Sequence, residues 1–596
     1  MGLLQRLCEL YDNCCDRDDF LPLYHKSIVS EYEISITPDG EYIPGSFVNA
    51  KADIIIPYSE ASINRTGTKI APHPLVDSLA NISPECAAMK KKAKSTGESA
   101  PSVYLQNLED WCNSPYAHPL VQSIFKYHQM GTIYTDIIND SKEPDFQIDP
   151  NAKVRIRIKD EHGEECPWED RSVAKAWINY YSSTQSSEKD ICYISGEYEP
   201  TASLCPKIIG NAKLISSEEG AFIRYSGDRF ANEKAAFAVS SLAVEKSHNA
   251  LNWLRDNQAI WLGTNTFYLV FSTNNDLMPD IMRDVEDDPF SEPDVDVDTG
   301  EIMSTSLRKS LHGYLKPGSE LDNVVICGFE TATPGRLSVI YYEEINSANF
   351  IKRLEQWYES CCSYVYSKET GELRYYTPSP LSIIRYTYGL SKESESDKKQ
   401  LYALTQRLIP CIVESRKIPS DIVNAIVRRV SSRPDMEYWE REKTLNIASA
   451  IIRKDYNDRK GREVYGMAIN ESSNDRSYLF GRLLAYMENI ESYALYKANM
   501  KRKTEAEKLI FRFSKKPLST YKHLYEHLTI YFKKVNNDAL VHRWKNEISE
   551  IASRLSPDDL KDTPLDAIYI LGYHAQMHEF EIAKRNIKEE NNEDAE

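Results

Sequence analysis

The sequence contains no Cys-x-x-Cys spacing, although it holds 12 cysteines in 596 residues. Cys14-Cys15 and Cys361-Cys362 are adjacent pairs. That arrangement argues against a zinc knuckle and a disulfide framework, and leaves reduced structural thiols as the expectation. No stretch approaches the roughly 18 apolar residues that a membrane-spanning helix requires. Residues 1–13 include Glu9 and Asp12, where a secretory signal would be apolar. A cytoplasmic chain with no membrane partner is therefore expected. There is also no Gly-rich loop followed by Lys-Ser or Lys-Thr, so nothing supports nucleotide hydrolysis. His574 and His578 stand at i and i+4, but Ala575-Gln576-Met577 between them lacks the Glu of a metalloprotease. Asp294, Asp296 and Asp298 are not followed by the glycine and terminal Glu of an EF-hand loop. No metal, cofactor or catalytic residue is expected.

What the chain does have is length, tyrosine and a divided charge. At 596 residues it exceeds a single core, which stops growing near about 250 to 300 residues, so two or three domains are expected. The formal net charge of -18 would ordinarily argue against a nucleic-acid partner. The distribution qualifies that sum. Between 276 and 301 the acids Asp276, Asp280, Asp284, Glu286, Asp287, Asp288, Glu292, Asp294, Asp296, Asp298 and Glu301 face Arg283 alone, with Pro279, Pro289 and Pro293 breaking any helix. That tract reads as a solvated loop. Between 501 and 545, by contrast, 12 Lys and Arg face four acids.

Hydrophobic periodicity sets the fold class. Thr266 to Phe271, Asn323 to Cys327 and Arg336 to Tyr342 read as strands. In 153–159, Lys153, Arg155, Arg157 and Lys159 alternate with Val154, Ile156 and Ile158. In a strand, this puts four cations on one face, which must meet solvent, acids or phosphate. After about residue 395 the pattern becomes helical. Ile422, Ile426 and Val430 form one stripe, and Leu479, Leu483, Tyr486, Ile490 and Tyr493 form another. Thr563-Pro564 before Asp566 predicts a helix start. The expected architecture is α+β, a mixed N-terminal body with antiparallel sheet elements followed by an all-α C-terminal bundle. The expected division is a body over 1–395, a helical connector over 396–466 and the bundle over 467–596, with the polar turn 469–475 at its edge.

Several motifs follow one another in a definite order. They are Cys192-Tyr193-Ile194-Ser195-Gly196, Pro206-Lys207-Ile208-Ile209-Gly210-Asn211, Cys327-Gly328-Phe329 with Arg336-Leu337-Ser338-Val339, Ile418-Pro419, Leu479-Phe480-Gly481-Arg482-Leu483-Leu484, and Leu571-Gly572-Tyr573-His574 with Gln576. In order and spacing these resemble the large subunit of the type I-C CRISPR Cascade, an RNA-guided DNA-surveillance complex. The segment 231–236 and the surroundings of Gln576 depart from the family pattern, so the chain reads as a divergent member.

The resemblance implies a non-catalytic subunit. Its implied partners are guide RNA, double-stranded target DNA, the backbone, guide-handle and small subunits, and a separately recruited helicase-nuclease that cuts the strands. It also implies that the N-terminal half recognises the protospacer-adjacent motif. Asn64, Arg65, Thr66 and Lys69, on a polar loop, are the candidates for reading that motif. Lys90, Lys91, Lys92 and Lys94, with Arg155 and Arg157, are candidates for the DNA backbone. The C-terminal region resembles the small subunit, and Lys501, Arg502, Lys503, Lys508, Arg512, Lys515, Lys516, Lys522, Lys533 and Lys534 are its strand-binding candidates. There, Leu524, Leu528 and Tyr531 should pack inward and leave Lys522, Lys533 and Lys534 at the rim. Met467 stands where an internal translation start would release the bundle alone. Two rivals remain open: a metal-dependent nuclease built on acids such as Asp284 to Asp288, and a protein-only scaffold.

Overall fold

The computed structural model describes residues 2–593 except 18, 64, 66–69, 90–98, 142–145, 186–188, 203–204, 216–237, 275–277, 279–280, 283–322, 367–372, 433–435 and 536. The chain divides into two compact units, Met1–Asp276 with Val324–Glu344, and Leu277–Asn323 with Ile345–Glu596. Residues 345–395, read from sequence as part of the N-terminal body, therefore belong to the second unit. The reason is packing: the helix Ser347–Ser360 and the small hairpin after it contact the long helix Tyr438–Lys460.

The first unit holds two sheets. In the first, β1 (His25–Ile36) pairs antiparallel with β2 (Val48–Pro57) and parallel with β3 (Val154–Lys159), which is followed by the short β4 (Glu164–Glu165). Ile34, Ile36, Ile54, Ile56, Val154, Ile156 and Ile158 point to one face, as the period of two demands. That face is covered by Tyr104, Leu108 and Trp111 of the helix Ala100–Cys112, by Ile124 and Tyr127 of Pro119–Met130, and by Trp177 of Arg171–Thr184. A hairpin of β5 (Lys189–Ile191) and β6 (Tyr198–Pro200) follows.

The second sheet is built from β7 (Lys207–Ile209), β8 (Ala212–Lys213), β9 (Ile260–Trp261), β10 (Thr266–Ser272), β11 (Asn323–Thr333) and β12 (Arg336–Asn346), in the order β7-β8-β12-β11-β10-β9. Every residue of β10 is buried. The helices α1 (Leu3–Cys14) and α2 (Ser241–Gln258) pack on this sheet through Leu7, Leu10, Leu251 and Leu254 against Phe267, Leu269, Val325 and Phe329. Gly328, central to the Cys-Gly-Phe motif, lies against the ring of Tyr268. A Cβ there would sit 2.5 Å from Tyr268 Cε1, so any side chain would have to displace that buried ring.

The second unit is helical beyond the hairpin. The stripe Ile422, Ile426 and Val430 is buried on the helix Ser420–Ser432. At the centre of the bundle stands α4 (Arg476–Lys497), following α3 (Tyr438–Lys460) and followed by α5 (Glu505–Lys515), α6 (Pro517–Val535), α7 (Asp538–Ser553) and α8 (Ile568–Glu593). The polar turn before α4 ends on Asp475, whose carboxylate accepts the N–H of Tyr478 as the helix cap. Residues 477–491 of α4 are buried all round, not along one stripe, because α5, α6, α7 and α8 all pack against it. The start predicted at Thr563 is displaced to Ile568. The Arg476 guanidinium binds the carbonyls of Asp559, Lys561 and Thr563 and holds that segment extended.

Candidate nucleic-acid interface

Asn64, Thr66, Lys69, Lys90, Lys91, Lys92 and Lys94 lie outside the described residues, as do Asp284, Glu286, Asp287 and Asp288. Arg65 is described, and its guanidinium is engaged by Asp77 through contacts of 2.5 and 3.0 Å. Asp77 is 1% exposed and also accepts the N–H groups of His73 and Ser78. Burial alone would raise this carboxyl, but Arg65 and these donors hold it below its ordinary range.

The cationic face of β3 meets acids. Glu33 on β1 receives Arg155 at 2.5 Å and Arg157 at 2.7 Å, Glu31 lies 3.7 Å from Lys153, and Glu164 receives Lys159 at 2.5 Å. Both guanidinium groups also lie over the Trp168 ring, at 5.9 and 5.6 Å from its centroid. Arg155 is only 5% exposed. In this arrangement each of the four cations has a carboxylate partner, and Arg155 and Arg157 share Glu33.

The C-terminal basic segment is arranged differently. Leu524, Leu528 and Tyr531 are buried on α6, and Lys522, Lys533 and Lys534 are exposed on its outer side. Lys522 and Lys533 are eleven residues apart, three helical turns, and so project from nearly the same line of the helix. On α5, Lys508, Arg512 and Lys515 recur at the spacing of one face, together with Phe511, which is 54% exposed. Lys508 pairs with Glu505 at 2.7 Å. Arg502 is turned to Glu491, a carboxylate with a side chain only 3% exposed, at 2.9 Å. Lys503 reaches the carbonyl of Met436 at 3.5 Å, and Lys534 lies over the Tyr531 ring. Lys501, Arg512, Lys515, Lys516, Lys522 and Lys533 are exposed and form no ion pair among the described residues. Here, then, the helices leave cations facing outward.

Residues 7–581 match the family described as CRISPR-associated protein (Cas_Csd1). The chain belongs to this family. It is the type I-C large-subunit family, and the protein is accordingly a CRISPR-associated protein of the Cascade type. No curated protein matches the chain. Csd1 is a family of Cascade subunits and not a known enzyme family.

The family motifs near the C-terminus prove to be parts of one interlock. A Cβ at Gly481 on α4 would fall on the carbonyl of Tyr569 on α8, and a Cβ at Gly572 on α8 would lie 2.2 Å from the carbonyl oxygen of Tyr478. The two glycines therefore permit the backbones of α4 and α8 to touch. Around the crossing, Arg482 Nε donates to Gln576 at 2.9 Å, and the Tyr573 hydroxyl donates to Glu488 at 2.7 Å. Arg441 on α3 binds Glu488 with two contacts of 3.0 Å and also reaches Glu507 on α5 at 3.2 Å. His574 contacts Asn446 at 2.6 Å, and its burial pushes it down to about 3, so the neutral ring is the folded form. His578 stacks on Tyr364. Neither histidine shares a ligand cluster: no group of three or more His, Cys, Asp or Glu among the described residues is placed to hold a metal.

Arg441, Glu488 and Glu491 escaped the sequence reading. Their signal was available, because Glu488 and Glu491, like Arg482 and Asn489, are polar positions in the mostly apolar run 478–491 of α4, and acids so placed need buried partners. All twelve cysteines are free. Met467 is half-buried in the second unit, its Sδ 3.4 Å from Cys362 Sγ. No helix among the described residues is long and apolar enough to cross a membrane.

Proposed function

We propose that this Csd1-family chain is the non-catalytic large subunit of a type I-C Cascade complex, acting in the cytoplasm. It assembles with guide RNA and with the backbone, guide-handle and small subunits. Its first unit recognises the protospacer-adjacent motif on duplex DNA and promotes R-loop formation, and its surface helps recruit the helicase-nuclease. Sequence reading is then left to base pairing, and the protein supplies motif recognition and charge. The observation that carries this reading is the outward cationic face of α5 and α6, where Arg512, Lys515, Lys522 and Lys533 have no ion pair among the described residues in a chain of net charge -18.

The test is binding of the assembled complex to matched duplexes that differ only in the flanking motif, over a range of salt. Lys69→Ala with Arg65→Lys should lose discrimination between motifs. Arg65→Lys keeps a charge beside Asp77 and so spares the fold. Neutralising Lys90, Lys91 and Lys92, or reversing Lys515, Lys522 and Lys533, should weaken all targets alike with a shallower salt dependence. Unchanged binding in every variant would leave only the protein scaffold.

A second part of the proposal concerns Met467. It lies between α3 and α4, so translation from it yields α4 to α8 with the basic face intact. Changing its codon should abolish a short co-purifying product while leaving the full chain. Persistence of that product would exclude Met467 as its origin.

A further inference from the structure

Within the second unit, a cleft enclosing about 490 Å³ opens between the end of the helix Ser347–Ser360, the loop after the short helix Ile409–Val413, and the last turns of α3. Arg353, Lys417, Arg453, Lys454 and Arg462 line it, against Glu359, Asp458 and Glu463.

The decisive residue is Arg453. It is 4% exposed, and no carboxylate pairs with it among the described residues. Its Nη2 donates to the carbonyls of Glu359, Ser360 and Cys362 at 3.0 to 3.2 Å, so it caps the end of the preceding helix. Nη2 also donates to Cys362 Sγ at 2.7 Å, and Nε has no hydrogen-bond partner among the described residues. A buried guanidinium with no counter-charge is costly, because partial charges on carbonyls do not replace a full anion. The acids nearby do not remedy this: Asp458 is engaged by Lys454 at 3.2 Å, which in turn donates to Ser360. Lys417 and Arg462 stand exposed at the cleft with no ion pair among the described residues.

We infer that this cleft binds a nucleotide phosphate, with Arg453 at the base and Lys417 and Arg462 closing over the anion from the rim. The volume is within the range of small-molecule sites and suits one nucleotide. Gln356 adds a neutral amide able to hydrogen-bond sugar or base, while Ser360 is held by Lys454 and Asn457 by the backbone of Val464 and Tyr465. The choice of a nucleotide over another anion rests on the Cascade reading. The site itself is separate from the α5 and α6 face.

The experiment uses the full-length chain and three probes: AMP, a single-stranded RNA and a single-stranded DNA of the same sequence, each labelled for anisotropy or followed by calorimetry. Lys417→Ala and Arg462→Ala change exposed side chains and should keep the wild-type melting temperature. Each is expected to lower affinity about tenfold, the loss of one charge-assisted contact, and AMP should compete with whichever strand occupies the cleft. Arg453→Gln should abolish binding of AMP. Reversal of Lys515, Lys522 and Lys533 serves as the parallel arm and should leave AMP binding unchanged. If the strands bind, the α5 and α6 variants weaken them, and AMP neither binds nor competes, the cleft assignment is overturned and the proposed function stands. If the cleft variants lose AMP while the α5 and α6 variants bind strands normally, the cleft stands and the outer face loses its role.

Discussion

Replacing Arg441 by Ala should be among the most damaging single changes in the second unit. Its guanidinium joins α3 to three other helices, through two 3.0 Å contacts to Glu488 on α4, a 3.2 Å contact to Glu507 on α5 and a 2.9 Å contact to the Tyr573 hydroxyl on α8. The Glu488 side chain is 7% exposed, so truncation leaves a buried carboxylate with only a tyrosine to stabilise it. Breaking a buried pair from one side costs about 3 to 5 kcal/mol. For a unit of this size, each kcal/mol displaces the melting temperature by roughly 2 to 4 °C, so a fall on the order of 10 °C is expected. Differential scanning calorimetry of the full chain would assign the loss to one of two transitions. The double variant Arg441→Ala/Glu488→Gln should recover part of it, because the neutral amide no longer needs a counter-charge. A single variant within about 2 °C of wild type, or a double variant no better than the single, would refute the claim that charge compensation holds α3 to the bundle.

Other perturbations test separate parts of the structure. Gly572→Ala drives a Cβ into the Tyr478 carbonyl and should cost roughly 1 to 3 kcal/mol in urea unfolding; an unchanged midpoint would mean that α4 and α8 can separate freely. In the first unit, Glu245 is buried, accepts the Tyr58 hydroxyl at 2.7 and 2.9 Å, and forms no ion pair among the described residues. Burial pushes its carboxyl up to about 7. A folded pKa above the unfolded one contributes stability in acid that is lost as pH rises through 7. Glu245→Gln should therefore match wild type near pH 4, below the unfolded pKa, and exceed it at pH 8 by up to on the order of 3 kcal/mol, and a pH-independent difference would contradict this. Reversing Lys522 and Lys533 together should lower the slope of log affinity against log salt by roughly 0.7 to 0.9 per lost phosphate contact.

The parts of this fold legible in the sequence are those where local periodicity and burial coincide. The run Phe267–Phe271 is hydrophobic and the strand that carries it is buried throughout, and the inward set Leu524, Leu528 and Tyr531 on α6 follows from helical spacing alone. The β3 alternation was legible as a pattern but not as an environment. Whether four cations meet phosphate or carboxylate depends on Glu31 and Glu33, more than a hundred residues earlier, and on the parallel register that brings β1 beside β3. The start of α8 was misplaced for a related reason, since Thr563 and Pro564 favour a local helix start and a guanidinium from Arg476 overrides them. The cleft around Arg453 had no local signal, because its cations come from three segments spread over 353–462.

The two kinds of cation in this chain separate stability from binding. Arg65, Arg155, Arg441 and Arg502 each answer a carboxylate that is largely removed from water, so deleting any of them orphans a buried acid before it touches a ligand. Lys515, Lys522 and Lys533 form no ion pair within the described chain, so their removal should change affinity while leaving stability within about 0.5 kcal/mol of wild type. A charge-removal series scored both by melting and by strand binding should therefore fall into two groups. If the buried arginines lost binding in proportion to their loss of folded protein and the lysines lost it without unfolding, the outer face of α5 and α6 would be the binding surface. If lysine and arginine variants fell on a single line of binding against stability, that face would have no role of its own.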